Sequence, residues 1–421
     1  MQELKSIKGT HDILNSGIAK WQKVEKVLQK VFASFCYQEI RTPVFENTAL
    51  FARGVGEFSD IVSKEMYTFS DKGGESLTLR PELTASVARA YIQHHFWQDA
   101  PVHKLWYLGA LFRQERPQAG RQRQFHQYGV EVIGSALPEA DAEVIALACS
   151  IYRELGLRNY VLHINSIGST DTRKRYTEIL KKTLEPHKNS LCETCNTRFE
   201  GNILRLFDCK NPGCAEILKN YAPSILDHLS SEDAEHFTRV RELLDVMAIP
   251  YEVNPALVRG LDYYTRTTFE IKGTALGAQD ALCGGGRYDK LLMELGGPET
   301  PAVGFAAGME RLILAMEAEG LFTEEEAGMD LYLAPMDSHA LNTAMPIAQT
   351  LRDAGISVYV DLLGRSLKAM LREANRKKAK HTAVIGDDEI KNRRLQLKSM
   401  FNNTVSELPF EDLADALKHK K

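Results

Sequence analysis

Residues 258–270 read Val-Arg-Gly-Leu-Asp-Tyr-Tyr-Thr-Arg-Thr-Thr-Phe-Glu. Arg259 is a fixed cation just ahead of the Tyr263–Tyr264 pair, which offers flat faces and phenolic hydroxyls. Gly260 permits a tight backbone approach and Asp262 can hold a turn. Thr265–Ile271 is β-branched and aromatic, a strand pattern. A cation and two tyrosines on such an edge suit a small ligand with an anionic end and an aromatic end. The same residues also suit a hairpin with core tyrosines and a solvated arginine.

A second group lies on the strand expected over Phe125–Ile133. With period two, Phe125, Gln127, Gly129, Glu131 and Ile133 share one face, same-face neighbours standing about 6.6 Å apart. Burying Gln and Glu unpaired would cost several kcal/mol, so the row reads as a polar pocket floor with Phe125 available to stack on a base. A solvent-facing sheet surface is the other reading. Before this strand, Arg113 and Glu115 lead into a loop carrying Arg116, Gln118, Arg121 and Arg123. Clustered guanidiniums match phosphates in bidentate fashion. Arg80-Pro-Glu-Leu-Thr84 sets the Glu82 carboxylate and the Thr84 hydroxyl at a helix start, where Glu82 also suits the helix dipole. Gly304–Arg311 ends a strand and opens a helix with Arg311 in its first turn, a ready anion site. Cys192, Cys195, Cys209 and Cys214 have spacing C-x2-C-x13-C-x4-C, which fits a tetrahedral zinc site or four reduced thiols.

These residues need elements to hold them. Residues 18–36 carry apolar groups at helical spacing, and Tyr37–Phe45 follows as a short strand with Pro43 at an edge. Residues 81–95 read as a helix beginning at Pro81. An apolar strand over 102–112, the loop 113–124 and Phe125–Ile133 make a hairpin whose loop is longer than usual, a mark of function. Residues 171–250 turn helical and enclose the cysteines, like an insertion. Strands resume over Val258–Lys272, and Val303–Ala307 leads into a helix at Met309. Beyond Asp330, strands at 331–335, 357–360, 382–385 and 394–397 alternate with helices at 340–354 and 366–376, an α/β pattern.

The 421 residues are too many for one ordinary core, and hydrophobic and charged fractions of 44% and 26% are ordinary for a globular chain. No stretch reaches the roughly 18 apolar residues of a membrane span, and the first ten residues lack an apolar signal region, so the cytosol is expected. Seven cysteines, an odd number, fit reduced thiols there. The net charge of −4 conceals eleven Lys and Arg against four Asp and Glu between Arg365 and Lys398. Such a block is either a nucleic-acid contact or a solvated helix face.

Several motifs together resemble a known family. Phe112–Gly134 and Gly304–Arg311 resemble motifs 2 and 3 of class II aminoacyl-tRNA synthetases, and the helix and strand around Pro43 resemble motif 1, the dimer-forming element. Val258–Glu270, Ala281–Asp289 (Ala-Leu-Cys-Gly-Gly-Gly-Arg-Tyr-Asp) and Lys8–Ile13 (Lys-Gly-Thr-His-Asp-Ile) are similar to segments that mark histidyl-tRNA synthetases of bacterial type. The resemblance spans essentially the whole chain. It implies an α+β fold, an antiparallel sheet flanked by helices. The catalytic core would be 1–170 with 251–322, a helical insertion domain 171–250, a linker 323–329, and an α/β anticodon-binding domain 330–421. It implies activation of L-histidine by ATP with Mg²⁺, then transfer to tRNA(His), in a homodimer.

Residue by residue, the resemblance gives Glu82, Leu83, Thr84 and Gln127 to the amino and carboxylate ends of histidine. Glu131 and Tyr264, with Tyr263 beside them, go to the imidazole. Arg113 grips the α-phosphate, Arg311 the γ-phosphate, and Phe125 stacks on adenine, with Glu115 and Arg121 on the same ATP side. Arg259 joins Arg113 as catalytic and reaches the histidine carboxylate; it stands where relatives use a metal ion, so no catalytic metal ligand is expected. Arg116, Gln118 and Arg123 face the tRNA acceptor end. The alternative is a non-catalytic synthetase-like regulatory subunit of histidine biosynthesis. Such relatives typically lack the C-terminal domain and parts of the Arg259–Tyr264 segment, both present here. A synthetase for another amino acid fits the Glu131 and Tyr263–Tyr264 set less well, and a pure RNA-binding protein leaves Gln127 and Glu131 unexplained.

Overall fold

The computed structural model describes residues 3–14, 16–56, 61–118, 120–259, 261, 263–274, 280–322 and 328–418. Gly260, Asp262 and residues 323–327 of the expected linker lie outside the described residues. The chain divides into two compact units, residues 1–323 and 324–421.

The first unit contains β1 (Gln38–Glu39), β2 (Phe45–Asn47), β3 (Tyr67–Ser70), β4 (Ser76–Leu79), β5 (His103–Phe112), β6 (Gln124–Ile133), β7 (Tyr160–Ser166), β8 (Glu252–Val253), β9 (Thr265–Gly273), β10 (Ala281–Arg287) and β11 (Ala302–Gly308). Eight of them form one sheet in the order β1-β5-β6-β11-β10-β9-β7-β8. Pairing is antiparallel from β5 to β7, and the two-residue edge strands β1 and β8 pair parallel. Strands β2, β4 and β3 make a separate small antiparallel sheet. The α+β expectation, an antiparallel sheet flanked by helices, describes this unit.

The sheet's two faces differ, and the alternation along β6 shows why. Tyr128, Val130 and Val132 point into an apolar layer with Val303, Phe305, Phe269 and Ile271. Helices Ser16–Ser34, Pro138–Glu154 and Met309–Ala318 cover that face with Val24, Leu28, Phe32, Ile145, Ile151 and Leu312. Burying each such side chain contributes about 1.5–3 kcal/mol, so this face anchors the unit. The opposite face carries a second apolar cluster, with Leu105, Leu111 and Ile133 against Leu83, Val87 and Tyr91, and beside it the polar groups of β6. At the far end of β10, fully buried Arg287 ties the strand to helix Pro138–Glu154. Its Nε donates to both Asp141 carboxylate oxygens at 3.2 and 3.1 Å, and its Nη1 to Ser135 O at 2.8 Å.

Three expected elements differ from those observed. The strand expected over Tyr37–Phe45 is two short pieces in different sheets. Pro43 lacks a ladder donor, and the carbonyls of Thr42 and Pro43 turn to Arg80 Nη1 at 2.7 and 3.2 Å. The helix expected from Pro81 spans Thr84–Gln93. Its cap comes from Glu82, whose carboxylate accepts the Thr84 and Ala85 N–H groups at 2.7 and 2.9 Å. The strand expected from Val258 starts at Thr265, so Arg259, Leu261, Tyr263 and Tyr264 lie outside it.

Between β7 and β8 the described residues hold no strand. Helices Thr170–Leu184, Glu193–Glu200, Pro212–Tyr221 and Ser231–Val246 are joined by short 3₁₀ turns. In the second unit, β12 (Leu331–Pro335), β13 (Val358–Val360), β14 (His381–Ile385), β15 (Arg394–Ser399) and β16 (Val405–Pro409) form a sheet ordered β13-β12-β14-β15-β16. The first three are parallel, as the alternating pattern requires, and β15 and β16 extend them antiparallel. Strand β16 has no counterpart in the sequence reading; Val405-Ser-Glu-Leu-Pro carries little apolar signal. No helix among the described residues is long and apolar enough to cross a membrane.

Candidate active site

The face of the sheet that carries these polar groups floors a cavity of about 430 Å³, within the range of small-molecule sites. Strand β6 places Phe125, Gln127 and Glu131 on its floor, as the period-two reading requires. The hairpin loop supplies Arg113, Glu115 and Arg121, and helix Met309–Ala318 supplies Glu310 and Arg311 from its first turn. Glu82 and Thr84 enter from the start of helix Thr84–Gln93, while Arg259, Tyr263, Tyr264 and Tyr288 close the other side.

Glu131 is 1% exposed and sits in a cage of hydroxyls. It accepts from Thr84 Oγ1 at 2.8 Å, from the Tyr107 hydroxyl at 3.0 Å, and from the Tyr288 hydroxyl. Burial pushes its pKa up to about 8 against the pull of those donors. Room for the carboxylate comes from Gly304, its partner across β11; a Cβ there would lie 1.8 Å from Glu131 Oε2. Glu82 is likewise raised by burial, with the two backbone donors and Arg113 opposing. Gln127 pairs with Gly109 and Gly308, and its side-chain amide makes no hydrogen bond among the described residues. It therefore presents a donor and an acceptor to whatever fills the cavity.

Arg259 spans the cavity wall above Gly284, where a Cβ would fall 1.9 Å from its Nη2. Its Nη1 donates to Glu270 Oε1 at 2.7 Å. Burial works against its charge, but Tyr264, Glu270, Cys283 and Asp208 together hold the pKa above the ordinary arginine value. A group of cations also lines the cavity. The Arg113 guanidinium lies 5.1 Å from the Phe125 ring centroid, and its Nε donates to Pro81 O at 2.9 Å. Glu115 sits between Arg113 and Arg121 at 3.7 and 3.3 Å. Arg311 is oriented by the carbonyls of Gly120 and Ala281 at 3.1 and 3.0 Å. Burial and the neighbouring Arg121 lower its pKa, the expected result when cations crowd one wall.

Of the residues singled out by sequence, the cavity gathers Glu82, Thr84, Arg113, Glu115, Arg121, Phe125, Gln127, Glu131, Arg259, Tyr263, Tyr264 and Arg311. Leu83 is not on its wall; it is 2% exposed and packs in the core with Val87 and Tyr91. Arg116, Gln118 and Arg123 also lie off the wall, on the loop that Gln118 and Arg121 close through a two-residue bridge. The Arg123 and Gln124 N–H groups donate to Gly9 O at 2.8 and 3.2 Å, so the opening Lys8–Ile13 segment braces the loop. Sequence reasoning passed over Tyr107, Tyr288, Glu270 and Arg205. Tyr107 faces Gly129 across the hairpin, a pairing that counting register back from the loop exposes. Arg205 comes from the helical segment and carries no local signal.

The four clustered cysteines bring their sulfurs within 4.8 Å of one another. The Cys192 and Cys209 sulfurs are 3.8 Å apart, the edge of a tetrahedron with Zn–S bonds of about 2.3 Å. The backbone N–H of Cys195 lowers the Cys192 pKa to about 7, while burial raises Cys195. The donor set therefore fits zinc.

A family model described as Histidyl-tRNA synthetase matches residues 9–312. The chain belongs to the histidyl-tRNA synthetase family. A second model, an anticodon binding domain, matches residues 330–420 of this synthetase. Histidine--tRNA ligase of Halothermothrix orenii is 47% identical over 99% of the chain and 99% of the relative. That of Chloroherpeton thalassium is 50% identical over 98% and 97%. The crystal structure of apo S. aureus histidyl-tRNA synthetase superposes with a TM-score of 0.84 at 39% identity, covering 99% of this chain and 100% of that one.

Proposed function

We propose that this synthetase binds histidine and ATP together in the cavity over β6, forms histidyl-adenylate and pyrophosphate, and passes histidine to the 3′ end of tRNA(His). One observation carries the reading: a caged carboxylate, Glu131, shares a single cavity with Arg113, Arg121, Arg259 and Arg311. A carboxylate acceptor selects a ring N–H, and a site built for such bonds rejects analogues lacking them by a large factor. Glu131 with Tyr264, and Tyr263 beside it, read the imidazole. Glu82, Thr84 and the unsatisfied Gln127 amide hold the amino and carboxylate ends; Leu83 acts only by packing under them.

On the ATP side, Phe125 stacks on adenine, Arg113 grips the α-phosphate and Arg311 the γ-phosphate, with Glu115 and Arg121 setting the arginines. The histidine carboxylate attacks the α-phosphorus in line and the bond to the pyrophosphate oxygen breaks. Negative charge builds on the α-phosphoryl oxygens, and Arg259, already oriented by Glu270, stabilises it without reorganisation. No protein base is needed, because the nucleophile is already an anion. Glu115 and Glu310 are the cavity carboxylates that would hold Mg²⁺ brought with the nucleotide, which would offset charge on the pyrophosphate. Zinc at Cys192, Cys195, Cys209 and Cys214 would act as a structural cross-link.

In this reading, 1–170 with 251–322 is the catalytic core, 171–250 approaches the acceptor stem, and 330–421 reads the anticodon. Arg116, Gln118 and Arg123, on the loop beside the cavity, face the acceptor end. The enzyme works in the cytosol as a homodimer. The regulatory-subunit reading has less support, because Arg259 and Tyr264 line the cavity and residues 330–418 form a folded unit. Amino-acid-dependent ATP–pyrophosphate exchange tests the proposal: exchange with histidine alone is expected. Exchange with another amino acid, or with none, overturns it.

A further inference from the structure

Arg259 has one wall that the catalytic sheet does not supply. The 3₁₀ turn Ile203–Asp208, within the helical segment, places Arg205 on the cavity, with Arg205 Nε 3.7 Å from Asp208 Oδ2. Arg205 and Arg259 line the same cavity, Arg259 held by Glu270 of β9 and Arg205 carried by the turn. Six residues in a 3₁₀ turn make poor hydrogen bonds and hold themselves weakly.

The cysteine cluster brackets this turn. Ile203, Leu204 and Leu206 bury its apolar side, and Arg198 Nη1 donates to Arg205 O at 3.0 Å from the helix that Cys192 and Cys195 begin. Cys209 is the next residue after Asp208, and its N–H donates to Leu206 O at 3.0 Å. Cys214 lies in the following helix and accepts from the Cys192 N–H at 3.3 Å. The four sulfurs therefore clamp both ends of the path that carries Arg205 and Asp208.

We propose that the four cysteines bind zinc in order to lock the Ile203–Asp208 turn, with Asp208 positioning Arg205 on the cavity that Arg259 also lines, and so link the metal state of the helical segment to adenylate formation. Binding displaces the thiol protons to solvent and leaves the sulfur oxidation state unchanged. The link rests on the histidine-activation reading; the metal site does not.

The test uses the full chain in four forms: as purified, stripped of metal with an organomercurial and chelator, Arg205→Ala, and Asp208→Asn. Metal is counted by mass spectrometry, and a cobalt-substituted sample is checked for thiolate-to-metal charge transfer. Amide exchange of 203–208 and 258–264 is followed with and without metal, and ATP–pyrophosphate exchange is split into kcat and KM. About one zinc per chain is expected, with a tetrahedral thiolate cobalt spectrum. Both variants should keep their metal and their KM for ATP while kcat falls roughly 10- to 100-fold, the cost of a misplaced catalytic group. Arg205→Lys should recover part of that loss. Stripping should deprotect 203–208 and lower wild-type kcat to the Arg205→Ala level, with no further fall in the variant, because the two changes act through one path. Absence of bound metal overturns the zinc site. Bound metal whose removal changes neither amide protection nor kcat overturns the link. If histidine-dependent exchange is missing from the intact protein, the activation reading fails, and the metal count and amide exchange still judge the site and the lock.

Discussion

Glu131 shows how one side chain sets conditions on everything around it. Its carboxylate is buried where ionisation is costly, and its pKa rises from 4.5 to about 8. Below about 4.5 both native and unfolded states carry the proton, so there is no linkage. Between about 4.5 and 8 the native state keeps a proton that the unfolded chain has released, so stability falls as pH rises through that window. Glu131→Gln should flatten that slope and, above pH 8, stabilise the ligand-free protein by an amount on the order of a few kcal/mol. Urea midpoints at acidic and alkaline pH measure it, and an unchanged slope defeats the assignment. The same substitution should raise KM for histidine far more than KM for ATP, since only the ionised acid is a full acceptor for a ring N–H. Arg259→Ala should reduce pyrophosphate exchange by about 100-fold or more with the fold intact, which circular dichroism can check. At this scale the sequence was most legible where periodicity applies: Phe125, Gln127 and Glu131 fall on one face because β6 alternates. It was least legible for Tyr288 and Arg205, brought to the cavity by packing between distant segments that no local pattern encodes.

Elements are held by a few contacts that cannot be exchanged for others. The hairpin β5–β6 and strands β10 and β11 approach closely enough that Gly304 leaves space only for the Glu131 carboxylate. Gly304→Ala would set its Cβ 2.3 Å from Val130 O as well, a backbone clash that no rotamer change relieves. Overpacking of this kind costs typically 1–3 kcal/mol, so a lowered urea midpoint and loss of histidine-dependent exchange are expected together. Asp141→Ala should cost more. It strands the Arg287 guanidinium at 0% side-chain exposure, with Asp289 as its remaining acid, and breaking such a pair costs about 3–5 kcal/mol. A loss under about 1 kcal/mol in urea denaturation would show that Arg287 is held by carbonyls instead. Strongly periodic elements were readable: the helix at Met309 and strand Leu331–Pro335 appear where their patterns put them. The misses came where side-chain hydrogen bonds override the backbone rule, as when Glu82 caps the helix that Pro81 was expected to open.

At the scale of the whole molecule, the basic block of the second unit separates into two populations. Arg365, Arg376, Lys377, Lys380 and Arg394 pair with Asp361, Glu373, Asp330 or Glu407 of the same unit. Lys368, Arg372, Lys391, Arg393 and Lys398 make no ion pair among the described residues, and the first four are exposed. Lys368 and Arg372 stand one helical turn apart on helix Leu367–Arg376, so they form a stripe rather than a scatter. Tyr359 is half-buried against Tyr332 at 5.2 Å with Lys377 over its ring. It is committed to packing, and the unpaired cations are the expected nucleic-acid contact of this unit. Charge counting could find the block but could not separate paired from unpaired cations, since pairing depends on the sheet order that brings Asp330 and Glu407 alongside. Lys368→Ala/Arg372→Ala should therefore weaken tRNA binding and reduce the slope of log affinity against log salt by about 1 for each phosphate no longer neutralised. Histidine-dependent pyrophosphate exchange, which needs no RNA, should keep its wild-type rate. Filter binding across a salt series, run beside the exchange assay, separates the two functions. An unchanged salt slope would move the RNA surface off this helix, and a fall in exchange would mean that the two units are not independent in the first step of the reaction.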